Sequence, residues 1–174
     1  MKYVAFLRAI NVGGHAIIKM SDLKKMFEAA GLENVQTYIQ SGNVIFEAEE
    51  AGGRSLAERI ERQLEKAAEY KIELFVRTMP EVQSIAQKSP FKVKDGETVY
   101  VTFLNTKPDK KSQQALLDLN SDADEFAFRG SEVHTLRRDR EKSVFSNNFL
   151  EKILKMPATS RNLTTIRKIV EKYA

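Results

Sequence analysis

Two short polar stretches carry the groups best suited to holding a ligand. "FLRAINVGGH", residues 6–15, places Arg8 and Asn11 ahead of the pair Gly13 and Gly14, with Lys19 just beyond; "QSGN", residues 40–43, supplies Ser41, Gly42 and Asn43. Glycine loops can turn several backbone N–H groups to one side, and such a concavity binds anions. The same residues also make ordinary turns, since glycine takes positive φ freely and Asn and Ser satisfy loop backbone. Neither stretch matches a named phosphate loop: G-x-x-x-x-G-K-[ST] is absent, and Gly13 with Gly14 does not form G-x-G-x-x-G. A third stretch, "TSRN", reads as a helix start capped by Thr159 or Ser160, with Arg161 and Asn162 in the first turn. A helix N-terminus favours an anion that an arginine can clamp, and a salt bridge between the two halves of the chain is the competing role for Arg161.

Catalytic groups are sparse. The two histidines, His15 and His134, lack the i+4 partner of a helical zinc site and belong to no Ser-His-Asp grouping. The chain has no cysteine, which excludes disulfides, thiolate metal sites and thiol nucleophiles. No cofactor and no metal are implied.

The elements that must position these groups follow from periodicity. Lys2 to Arg8 is short, apolar and β-rich, the pattern of a strand buried on both faces. Ser21 is placed to cap a helix with Leu23, Met26, Phe27 and Ala30 on one face, ended by Gly31. Residues 35–39 and 44–47 form a hairpin that needs positive φ at Gly42 or Asn43. Ser55 and Glu58 make a capping box before Leu56, Ile60, Leu64 and Ala68, with Glu58 and Arg62 spaced to pair. Residues 72–77 add a strand, and the order βαββαβ over residues 1–78 is that of a ferredoxin-like unit.

Residues 79–174 begin with a connecting helix after Pro80 and then repeat the order in part. A strand spans residues 98–104, a helix 108–119, and a hairpin turns at Gly130 and Ser131. Helices over 144–155 and 161–173 close the chain, with no strand after them. The expected architecture is α+β: two tandem ferredoxin-like subdomains, 1–78 and 79–174, the second lacking its last strand or replacing it with C-terminal helices. In a βαββαβ unit the first and second strands run parallel with the third between them. The loops "NVGG" and "QSGN" should therefore meet at one sheet edge, joined by the connection near Tyr70 and Lys71.

"LRAINVGG", "TYIQSGNVIF" and "ATSRN", in that order, make the chain resemble the bacterial family known as domain of unknown function 1697. The resemblance covers nearly the whole chain and implies two ferredoxin-like subdomains without an activity. The family's first motif usually has glycine at the position of Ala9 and a polar residue at that of Ala16; the last often has Trp and Asn where this chain has Leu163 and Thr164.

The chain has 174 residues, 42% apolar and 30% charged, ordinary globular usage with a net charge of +4. Residues 1–78 hold 11 Lys/Arg against 11 Asp/Glu, so the excess lies in residues 79–174, with 17 against 13. That bias admits an anionic partner such as nucleic acid, although "RRDREK" at residues 137–142 mixes signs like a solvated loop. The apolar runs are too short for a membrane span or a signal peptide, so a cytoplasmic location is expected. Binding of RNA by stacking on the sheet is disfavoured, because "NVIFEA" lacks the aromatic pattern and Tyr3 and Phe6 fall on opposite faces. Strands apolar on both faces suggest instead that the second half covers the open sheet.

Three functions remain open. The first is a non-enzymatic ligand-binding or interaction module using the glycine-loop edge. The second is binding of structured RNA or DNA through Arg137, Arg138, Arg140, Lys142 and Arg161. The third is a small phosphotransfer or hydrolytic enzyme using Arg8, His15 and Lys19. Substrate and oligomeric state are not legible.

Overall fold

The computed structural model describes residues 1–8, 18–39, 42–49, 52–68 and 71–174. Asn11, Gly13, Gly14 and Ser41, together with Ala9, His15, Ala16 and Tyr70, lie outside the described residues. The chain divides into two compact units, Met1–Gln83 with Lys172–Ala174, and Ser84–Glu171.

The first unit contains β1 (Lys2–Leu7), α1 (Met20–Ala29), β2 (Glu33–Tyr38), β3 (Asn43–Glu47), α2 (Gly53–Ala68) and β4 (Leu74–Thr78), followed by α3 (Met79–Gln87), whose last residues belong to the second unit. Its antiparallel sheet has the order β2-β3-β1-β4. Tyr3, Ala5 and Leu7 of β1 face a core with Leu23 and Phe27 of α1 and Leu56, Ile60 and Leu64 of α2. Val4 and Phe6, on the opposite face, are also fully buried, as a run without polar alternation requires. α1 starts at Met20 after Lys19, which makes no side-chain cap, so Ser21, expected as the cap, lies inside the helix. α2 starts at Gly53, placing Ser55 within the first turn, and Glu58 pairs with Arg54 at 3.3 Å.

The second unit contains β5 (Thr98–Phe103), α4 (Lys110–Leu117), β6 (Asp124–Arg129), β7 (Glu132–Arg137), α5 (Asn147–Leu154), β8 (Thr159–Asn162) and α6 (Leu163–Tyr173), whose last residues belong to the first unit. Asp109 and Ser146 cap α4 and α5 by accepting from Ser112 N and Phe149 N. The sheet order is β6-β7-β5-β8, again antiparallel throughout. β8 overturns the expectation that the second half lacks its last strand. Thr159, Ser160, Arg161 and Asn162 pair with Phe103, Thr102, Val101 and Tyr100. The physical reason is tertiary: both faces of β8 carry polar side chains, which only buried partners make into a strand.

Each sheet has edges whose backbone must be satisfied or left open. At β4, the Leu74 N–H donates to Glu61 Oε1 at 2.8 Å and the Leu74 carbonyl accepts from Arg54 Nη1 at 3.4 Å. At β6, the Phe126 N–H donates to Asn120 Oδ1 and the Asp124 carbonyl accepts from Ser121 N.

Candidate functional site

The end of β1 meets two other connections at one edge of the first sheet. The Leu7 N–H donates to the Gly42 carbonyl at 2.9 Å, and the Arg8 N–H donates to the Glu73 carbonyl at 3.0 Å. Arg8 Nη1 then lies 3.2 Å from Glu73 Oε1, both side chains partly exposed. Backbone ladders thus bring the end of β1, Gly42 of the β2–β3 turn and the residue before β4 together.

Gly42 turns the hairpin at φ 79°, a conformation that side chains rarely adopt. Asn43 is fully buried, and its Nδ2 donates to the Tyr38 carbonyl at 2.9 Å, closing the same hairpin. Both residues hold the turn in shape. Lys19 is exposed at the start of α1, where its carbonyl accepts from Asp22 N and Leu23 N. Glu73 was not singled out in the sequence. No local pattern marks it, since it reaches Arg8 only through the β1–β4 pairing.

Arg161 and Asn162 lie in β8, in the second unit, and not in the first turn of a helix. Arg161 is 7% exposed, and burial pushes its guanidinium down to about 10, so it stays charged at neutral pH. Its Nη1 donates to Thr159 Oγ1 at 2.7 Å and to the Ser160 carbonyl at 2.9 Å. Asn162 Oδ1 accepts from Thr164 N at 2.9 Å, so Asn162, rather than Thr159 or Ser160, caps the last helix.

The basic stretch at residues 137–142 is folded onto its own unit. Arg137 stands over the Tyr100 ring at 4.9 Å and donates to its hydroxyl at 2.8 Å. Arg138 pairs with Glu125 and Glu97. Asp139 Oδ1 accepts from Glu141 N and Lys142 N, while Arg140 and Lys142 are exposed.

β7 carries two buried polar groups on opposite faces, neither flagged as such in the sequence. Among the described residues, His134 Nδ1 and Thr135 Oγ1 have no hydrogen-bond partner. Burial, assisted by the nearby Arg129 charge, lowers the His134 imidazole to about 4. Such a group is neutral at physiological pH and makes a poor general base. Among the described residues, no group of three or more His, Asp or Glu side chains is placed to hold a metal ion. Among them, too, no helix is long and apolar enough to cross a membrane.

These features define an α+β protein with two four-stranded antiparallel sheets. The model of the family "Protein of unknown function (DUF1697)" matches residues 1–134, and the chain belongs to that family. Among solved structures, the conserved bacterial protein SP0830 from Streptococcus pneumoniae is similar over 98% of this chain and 96% of its own, with a TM-score of 0.78. At 19% identity this likeness shows the fold alone. No curated protein matches the chain.

Proposed function

We propose that the chain is a small cytoplasmic binding module built from two tandem ferredoxin-like subdomains, residues 1–78 and 79–174, with its ligand edge at the end of β1. The reading is carried by the meeting of Arg8, Gly42 and Glu73 through the Leu7–Gly42 and Arg8–Glu73 backbone bonds. The strand orders β2-β3-β1-β4 and β6-β7-β5-β8 support the finer assignment of the fold. Arg8 and Lys19 supply positive charge, Asn11, Gly13, Gly14 and Ser41 supply the loop groups, and a small anionic ligand is the class that fits.

A thermal-shift screen against nucleotides and sugar phosphates tests this. A ligand at about 100 times its Kd stabilises the folded state by about 2.7 kcal/mol. The expected result is a shift with an anionic ligand that Arg8→Ala abolishes; no shift with any anion, or one that Arg8→Ala retains, overturns it. Nucleic-acid binding through the C-terminal half has less support, because Arg137, Arg138 and Arg161 are engaged within their own unit.

A further inference from the structure

A second candidate surface lies at the other end of the same sheet, along β2. The ladder fixes which of its backbone groups face outward. Leu7 and Gly42 exchange a hydrogen bond, and residues of an antiparallel strand alternate between neighbours, so Val44 and Phe46 bond to β1 while Asn43 and Ile45 bond to β2. Gln36 and Tyr38, opposite Ile45 and Asn43, therefore bond inward. Val35 and Thr37 turn their N–H and C=O groups away from β3, Thr37 half-buried and Val35 only 3% exposed.

That edge differs from those of β4 and β6. Their outward groups at Leu74, Asp124 and Phe126 are taken by Arg54, Glu61, Asn120 and Ser121. Among the described residues, no side chain or loop backbone bonds to the outward groups of Val35 and Thr37.

A hollow adjoins this edge. The register shifts between Glu33 and Gln36, so Asn34 and Val35 together oppose Phe46, and Asn34 takes φ 49°. The bulge borders a cavity of about 540 Å³, within the usual range for ligand sites, lined by Lys2, Lys24, Asn34, Gln36, Glu47 and Tyr173 among others. Lys2 is anchored by donating to the Tyr173 carbonyl at 2.7 Å, and Glu47 accepts from Asn34 at 3.0 Å. Lys24 is half-exposed, and its ion pair with Glu28 is long at 3.9 Å, so its ammonium can turn to a new anion at little cost.

We propose that β2 takes up an extended peptide segment as an added strand, with an acidic side chain seated in the hollow beside Lys24 and Lys2. Main-chain bonds to Val35 and Thr37 supply affinity, and the hollow selects the side chain. A peptide is favoured over a small molecule because the feature pairs unclaimed strand backbone with a single charged recess.

The test adds the synthetic peptide acetyl-Thr-Val-Asp-Val-Thr-amide to the full chain and follows amide hydrogen exchange residue by residue. The expected result is slowed exchange at Val35 and Thr37, with weaker protection by the same peptide carrying Lys in place of Asp. Lys24→Glu should weaken binding roughly five- to tenfold, as the loss and reversal of one exposed charge implies. Thr37→Pro should abolish it with the fold intact, since the N–H removed faces outward. Unchanged exchange at Val35 and Thr37 overturns the proposal, as does equal protection by both peptides. Protection of these amides by self-association without peptide also overturns it, in favour of a second copy of this chain.

Discussion

The two sheets share one strand order and differ in what they bury. In the first, Tyr3, Val4, Ala5 and Phe6 make β1 apolar on both faces, and Phe46 stacks on Tyr3 at 5.5 Å. In the second, the buried set includes Thr102, Asp124, His134, Thr135, Thr159 and Arg161. Asp124 shows what such groups require. Its carboxylate accepts from Ser143 Oγ at 2.6 Å and Val144 N at 2.8 Å, pinning the segment before α5 across β6. Nearby, Ser160 Oγ is 2.7 Å from Thr102 Oγ1 and donates to Asn147 Oδ1 at 2.8 Å, tying β8 to β5 and α5. A strand order can therefore be kept by a hydrophobic filling or by a partly polar one. The polar version is directional and makes stability depend on protonation.

The contrast is broken most strongly by emptying the apolar side. Phe46→Ala removes a fully buried ring that touches both Tyr3 and Phe27, and should cost about 3–5 kcal/mol in a urea titration. A loss below about 1 kcal/mol would mean that the first core is not the filled one described.

The next effect belongs to His134. Its imidazole is neutral in the folded chain down to about pH 4, against an ordinary value of 6.5. Below pH 6.5 the unfolded chain therefore binds a proton that the folded chain refuses. Stability should fall as pH drops from about 6.5 to about 4, by about 3 kcal/mol, and the contribution is fully present above that window. Urea titrations at several pH values, run beside His134→Leu, isolate it from the carboxylates. Parallel profiles for the two proteins would remove His134 as the cause.

The smallest effect has the opposite sign. Thr135 Oγ1 is buried and has no partner among the described residues, so the near-isosteric Thr135→Val should raise stability by about 1 kcal/mol. A loss of that size would show that the hydroxyl is satisfied.

Much of the fold was legible from local pattern. Leu56, Ile60 and Leu64 recur at helical spacing and are buried together in α2. Gly42 and Gly130 sit at positive φ in the two hairpins where turn chemistry placed them. β8 was not legible, because "TSRN" has no apolar alternation and its pairing with β5 is set by residues nearly sixty positions away. One helix start slipped for a related reason, since Met20 begins α1 without a side-chain cap to announce it. Of the candidate site, the sequence named Arg8, Gly42 and Asn43 but not Glu73, which becomes a neighbour of Arg8 only when β1 and β4 pair.

The clamp on β4 has a consequence for how the first unit comes apart. Arg54 holds Glu61 at 3.1 Å while both reach the backbone of Leu74. The strand cannot peel from the sheet without breaking bonds to the helix, and the helix cannot fray past Glu61 without releasing the strand. α2 and β4 should open and close as one cooperative block, and a protease probing this side of the unit should meet either a sealed surface or the whole block undone.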